Sequence, residues 1–237
     1  MMEVSIEEIR ELQLRLRSIP HLELNMHYDA ELMTEEYLNL QNKYGVKGYN
    51  ADYAMLTNYY KDRWLGISLN SEDGELYTEL KVRDRNNDAQ SFKITKAGED
   101  SPYLMEVLRS LGSENKRARV LVLAPKSTVG WHSHYINYQK EEHLQVTQVP
   151  FVVPENFKYV VMNGLDYAFS DFTKAPKLYS KEYFPGSAYI FNSYHYHNVF
   201  NNSNDYRVTL EFHTDLSIRK TFDIVKNAVD AYEGPLI

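Results

Sequence analysis

The chain has 237 residues, of which 43% are hydrophobic, 14% aromatic and 25% charged, too apolar for a disordered chain and long enough to bury a sizeable core. Its net charge is −7, and no basic run is longer than a pair such as Lys116-Arg117, which argues against a nucleic-acid partner. Cysteine is absent, so disulfides, thiolate nucleophiles and thiolate-held metals are excluded, and a metal would need His, Asp or Glu donors.

In chain order, the first residues lack the basic and apolar regions of a signal peptide. Ser5-Ile6-Glu7-Glu8 is a capping-box pattern, followed by Ile6, Ile9, Leu12 and Leu16 near helical spacing; Leu12, Leu14 and Leu16 also alternate, so the end of this helix before Pro20 is ambiguous. Met33, Tyr37, Leu40 and Tyr44 predict a second helix stopped by Gly45. Trp64 to Leu69 and Glu75 to Val82 flank a polar turn, Asn70 to Gly74, and read as a hairpin. Ser101-Pro102 opens a third helix that ends at Leu111-Gly112.

From about Arg117 the chain turns β-rich. Arg119–Leu123, His143–Thr147, Phe157–Val161, Ser187–Phe191, His197–Phe200 and Tyr206–His213 are short strands separated by turn chemistry, the pattern of a sandwich, barrel or jelly roll. Thr221 to Tyr232 closes the chain as a helix with an apolar stripe of Ile224, Val225, Val229 and Tyr232. With no repeat and no linker, the expectation is a single domain over 1–237: a helical and β part over about 1–115, a jelly-roll core over about 116–216, and a C-terminal helical segment over 217–237. No stretch approaches the ~18 apolar residues of a membrane span, so a cytoplasmic protein without a membrane partner is expected.

Eight histidines would give roughly 0.3 His-x-His pairs by chance, yet two occur, His132-Ser-His134 and His195-Tyr-His197. Residues two apart on an extended chain point the same way, so each pair could offer two imidazoles to one Fe, Zn, Cu or Ni ion; the alternative is that these histidines are exposed or locally hydrogen-bonded. A strand–turn–strand centred on Asn202 would make His197 and Arg207 cross-strand neighbours. Arg207, Thr209, Glu211 and His213 then share a polar face opposite Val208, Leu210 and Phe212. An inward arginine beside a metal histidine suits an acid that also chelates metal, whereas a surface Arg207 paired with an acid such as Asp205 is the alternative.

Residues from about Arg119 to Asp215 resemble the aspartyl/asparaginyl β-hydroxylase family of Fe(II)- and 2-oxoglutarate-dependent oxygenases. The likeness rests on Arg119-Val-Leu-Val-Leu-Ala-Pro125 before Trp131-His132, on His143-Leu-Gln-Val146, on Gly186-Ser-Ala-Tyr-Ile-Phe191 before His197, and on Asn202-Ser203, Arg207 and Asp215. It implies a double-stranded β-helix, cupin-like, with flanking helices, Fe(II) held by His132 and His197, and 2-oxoglutarate anchored by Arg207 with help from His143. It further implies oxygen-dependent hydroxylation of a C–H bond in an amino acid, peptide side chain or related small molecule. Many members carry an aspartate where this chain has His134, which makes His134 a third-ligand candidate. Trp131, Asn137, Tyr138, Tyr194, His195 and Tyr196 flank the ligand positions as candidate substrate contacts, loop packing being the alternative. A cupin-type metal enzyme also fits His132-x-His134 and His197-x-x-x-Asn201, although its usual glutamate is missing near Tyr138 and Gln139; a non-catalytic jelly-roll binding module is the third reading.

Overall fold

A computed structural model describes residues 3–48, 50–51, 62–78, 81–82, 91–133, 143–162 and 177–237. The chain begins with helix α1 (Ile6–Leu16), where the Ser5 hydroxyl accepts from Glu8 N–H at 3.2 Å and the Glu8 carboxylate accepts from Ser5 N–H at 2.8 Å. Strand β1 (His21–His27) leads to α2 (Ala30–Tyr44), which Asp29 caps and Gly45 stops at φ 75°. There follow β2 (Lys47–Gly48), β3 (Asn50–Ala51), β4 (Trp64–Ser71), β5 (Lys81–Val82), β6 (Lys93–Ile94), α3 (Lys96–Glu99) and α4 (Pro102–Ser110). The β-rich part comprises β7 (Ala118–Leu123), β8 (Ser127–Thr128), β9 (Leu144–Val152), β10 (Phe157–Met162), β11 (Leu178–Lys181), β12 (Ser187–Phe191), β13 (His197–Asn201) and β14 (Arg207–Asp215), and α5 (Arg219–Asp230) follows it.

Two antiparallel sheets form a jelly roll. The larger runs β1-β12-β9-β14-β7-β4-β2, with β6 also on β4, and the smaller runs β11-β10-β13-β8. Alternation along β14 divides the core. Val208, Leu210 and Phe212 join the cluster that includes Leu104 and Leu108 of α4 and Phe222 and Val225 of α5. On the opposite face, Arg207 at the start of β14 reaches the smaller sheet, over Phe157 and Tyr159 of β10, in the layer that also holds Leu123, Tyr189, Phe191 and Val199.

Three expectations change. Among the described residues the hairpin of Trp64–Leu69 with Glu75–Val82 is reduced to one backbone bond, Ser68 N–H to the Leu76 carbonyl at 2.8 Å: β4 lies between β7 and β2, pairing Ile67 with Val120 and Leu65 with Val122, because two buried strand faces outweigh the local turn signal of Asn70–Gly74. The strand expected over His143–Thr147 extends to Val152, since Pro150 lies where the β9–β14 register shifts and needs no ladder N–H there. His197 and Arg207 are not cross-strand partners. His197 pairs with Val161 of β10 and Arg207 with Leu123 of β7, on different sheets. The intervening turn spans that gap through Asn201, whose amide donates to the carbonyls of Leu123, Ala124 and Asp205 at 2.9–3.0 Å and replaces a hairpin ladder.

Candidate metal centre

β13 pairs with β8 through Phe200–Thr128 and Asn201–Ser127, and the pairing resumes at an isolated bridge between His132 and His197 with the register shifted by one residue. Gly130 absorbs the shift at φ 91°, and its N–H donates to the Asn198 side chain at 2.9 Å. The shift sets His132 directly opposite His197, with reciprocal backbone hydrogen bonds of 3.2 and 2.9 Å. Their rings then lie 4.2 Å apart between centroids.

The hydrogen bonds decide the tautomers. His132 Nδ1 lies 2.9 Å from the Gly130 carbonyl and His197 Nδ1 lies 2.9 Å from the His195 carbonyl. A carbonyl only accepts, so each Nδ1 carries the hydrogen and each neutral ring turns an Nε2 lone pair outward. Those two Nε2 atoms are 3.1 Å apart. Two lone pairs at that range repel unless they share a cation, and two Fe–N-type bonds of ~2.1 Å meeting at a right angle span about 3.0 Å. Burial holds the His132 imidazole below its ordinary pKa, which keeps it neutral for ligation, and backbone carbonyls on both Nδ1 atoms supply the orienting contacts of a metal histidine. The two imidazoles are spaced as a donor pair for one metal ion, and among the described residues no third His, Asp or Glu joins them.

Arg207 is 2% exposed, and its Nη2 donates to the Gln148 side-chain oxygen at 2.7 Å. Its guanidinium stands 5.0 Å from the Phe157 ring centre and 4.9 Å from that of Tyr159. Among the described residues its Nε has no partner, nor has the buried hydroxyl of Thr209, two residues along the same strand face. Burial lowers the Arg207 guanidinium to about 9, with the Glu211 charge opposing. Glu211 does not pair with it. That carboxylate accepts from Arg119 Nε and Nη2 at 2.9 and 2.5 Å and from Gln148 Nε2 at 2.9 Å. Burial opposes the Glu211 charge, and Arg119 outweighs it, so the carboxyl stays below its usual range. Among the described residues two guanidiniums, Arg119 and Arg207, face one carboxylate here, and the Arg207 Nε and Thr209 hydroxyl suit an acid. Glu211 lies on the polar face that the sequence assigns to this strand, whereas Arg119, Gln148 and Tyr159 carry no role there. Strand parity is the signal that exposes them, since Arg119, Leu121 and Leu123 oppose Glu211, Thr209 and Arg207 in register.

The other sequence candidates fall elsewhere. His143 precedes the end of β9 that pairs with Asp215, whereas Arg207 is at the opposite end of β14; eight residues at ~3.3 Å each place them about 26 Å apart, so His143 does not assist Arg207, whose guanidinium is held instead by Gln148. His195 does not point with His197, because residues 193–196 are not extended; its Nε2 meets the Arg17 carbonyl at 3.0 Å. Tyr194 lies under the Arg17 guanidinium at 4.6 Å, and the Tyr196 carbonyl accepts from Met162 N–H at 2.8 Å, so this loop is tied to α1 and β10. Trp131 is 42% exposed and meets the edge of Phe200 beside His132. Asp215 pairs with Lys116 at 2.9 Å and caps the turn to Ser217. His134, Asn137 and Tyr138 lie outside the described residues.

No family model and no curated relative matches the chain. Solved structures do. An oxidoreductase of the 2OG-Fe(II) oxygenase family from Burkholderia pseudomallei is 12% identical, with 87% of this chain and 90% of that one covered at a TM-score of 0.50. The epimerase SnoN, solved with Fe3+, alpha ketoglutarate and nogalamycin RO, is 13% identical, with 98% and 94% covered at a TM-score of 0.51. The likeness is one of fold. These structures share the jelly roll with this chain, and at such identities the chemistry must be argued from its own residues.

Proposed function

We propose that this chain is an Fe(II)- and 2-oxoglutarate-dependent dioxygenase that hydroxylates a C–H bond of an amino acid, a peptide side chain or a related small molecule. One observation carries the reading: two imidazole lone pairs converge 3.1 Å apart in a jelly roll whose interior also holds an arginine without an acid partner among the described residues. Metal donors and an anion receptor in one fold suit a cosubstrate that is both chelator and dicarboxylate.

His132 and His197 hold the metal, with His134 proposed as a third donor in place of the carboxylate common to such sites. Arg207 takes the far carboxylate of 2-oxoglutarate through parallel hydrogen bonds, with Gln148 holding the guanidinium in place. The rings of Phe157, Tyr159 and Phe191 keep water from the interior. Iron when bound supplies oxygen activation, with 2-oxoglutarate as the accompanying reductant. Trp131, Asn137 and Tyr138 are proposed to meet the substrate. The finer assignment, to the aspartyl/asparaginyl β-hydroxylases, rests on the sequence resemblance, and it favours an amino-acid or peptide substrate. Oxygen-dependent conversion of 2-oxoglutarate to succinate, stimulated by one member of an amino-acid and peptide panel, is the expected result. Absence of succinate with Fe(II), 2-oxoglutarate and oxygen present overturns the proposal.

A further inference from the structure

A run of aromatic rings extends from His197 through the interior. The His197 ring meets the edge of Phe191 at 4.8 Å, and Phe191 lies 6.0 Å from Tyr159. Tyr159, Tyr183 and Tyr189 then form a stack with centroids 4.0 and 3.9 Å apart and interplanar angles of 21° and 13°. Each is at most 2% exposed. The three rings are near-parallel and in van der Waals contact, closer than the ~4.5–7 Å usual between aromatic centroids.

The three tyrosines differ in what surrounds them. Tyr159 carries the Arg207 guanidinium 4.9 Å over its ring and donates its hydroxyl to the Gln148 amide oxygen; the cation opposes loss of an electron, and the amide is a poor base. Tyr189 carries the Lys181 ammonium at 5.1 Å, and its hydroxyl oxygen accepts from Phe184 N–H at 3.1 Å. Tyr183, between them, has its hydroxyl 3.0 Å from His21 Nδ1. His21 Nε2 lies 3.0 Å from the Tyr179 carbonyl, so Nε2 bears the hydrogen and Nδ1 offers a lone pair to the phenol. Burial lowers the His21 imidazole to about 4, which leaves it neutral with Nδ1 open; a phenol that has lost an electron is acid enough to protonate it even so. Burial also raises the Tyr183 phenol well above its ordinary value, with Glu23 adding to the effect, so its proton leaves only with an electron.

We propose that Tyr183 is a redox-active tyrosine that gives one electron through Tyr159 and Phe191 to an oxidised metal at His132 and His197, its phenolic proton passing to His21 Nδ1. The products are a neutral phenoxyl radical, an imidazolium and a metal lowered by one oxidation state. A small one-electron reductant of the ascorbate class, reaching the partly exposed Lys181–Glu23 side, restores the electron while His21 returns the proton. The pair thereby drains oxidising equivalents when oxygen is activated without substrate. The link to the metal rests on the oxygenase reading; the Tyr183–His21 couple does not.

The test oxidises the metal-free 237-residue chain with photogenerated tris(bipyridine)ruthenium(III) and traps it for electron paramagnetic resonance. The wild type is expected to give a tyrosyl signal that is lost in Tyr183→Phe, retained in Tyr159→Phe and Tyr189→Phe, and diminished in His21→Gln. In D2O the wild-type radical is expected to show one strongly coupled exchangeable deuteron from His21, a reading that decides the matter even if a variant fails to fold. No radical, a wild-type signal in Tyr183→Phe, or a radical without that deuteron overturns the proposal. With Fe(II), 2-oxoglutarate and oxygen but no substrate, Tyr183→Phe is expected to inactivate in fewer turnovers. Equal lifetimes overturn the link to the metal, and absence of turnover overturns the oxygenase reading while the radical result stands.

Discussion

Arg207 is buried with its Nη2 on Gln148, while the only carboxylate near it among the described residues, Glu211, is occupied by Arg119. A buried charge without a counter-ion costs several kcal/mol, and the amide oxygen of Gln148 offsets part of that in the free chain. Hydrogen bonds to charged groups contribute ~1.5–3 kcal/mol, so Gln148→Ala is expected to weaken 2-oxoglutarate binding by about tenfold or more, measured by titration calorimetry on the metal-loaded chain. An unchanged affinity removes Gln148 from the anion site. At this scale the sequence was partly legible. Paired histidines in a cysteine-free chain are conspicuous by count, and Arg207 by strand parity. Gln148 and the Arg119–Glu211 pair carry no such local mark, since their roles exist only once three strands are in register.

Elements set by short-range chemistry follow the sequence closely. The Ser5–Glu8 capping box starts α1 and Pro102 starts α4, while Gly45 ends α2. Strand partners are a long-range choice, which is why β4 escaped its expected hairpin and β1, following Pro20, was not foreseen. β1 joins the larger sheet through β12, and Gly186 lets β12 begin there. Its φ is 80°, and a Cβ would collide with the Tyr28 carbonyl, so Gly186→Ala is expected to lower stability by ~1–3 kcal/mol in urea unfolding. β1 also carries His21, held at about 4 by burial against an unfolded value of ~6.5. The unfolded chain takes up this proton first, so the contribution is complete above ~6.5 and is lost as pH falls toward 4, roughly 3 kcal/mol in all. Urea midpoints compared between wild type and His21→Gln over that range are expected to converge at low pH; parallel curves contradict it.

For the molecule as a whole, the alternation in β14 puts one apolar layer against helices and a polar layer inside the jelly roll, and these two layers give the fold both its core and its candidate site. The jelly roll was legible from short strands with regular punctuation, whereas the passage of the chain between sheets at Asn201 was not, because it depends on side-chain hydrogen bonds to Leu123 and Ala124. Ligands that bind only the folded chain stabilise it. Fe(II) with 2-oxoglutarate at a hundredfold over its dissociation constant is expected to add ~2.7 kcal/mol. For a chain of 237 residues this is about 5–10 °C in anaerobic thermal unfolding, and no shift contradicts a metal–cosubstrate site. The most direct test is anaerobic visible absorption with Fe(II) and 2-oxoglutarate. A metal-to-ligand charge-transfer band is expected in the wild type, lost in His132→Ala and His197→Ala and greatly weakened in Arg207→Met; a wild-type chain without the band, or an Arg207→Met band of full intensity at limiting 2-oxoglutarate, contradicts the account.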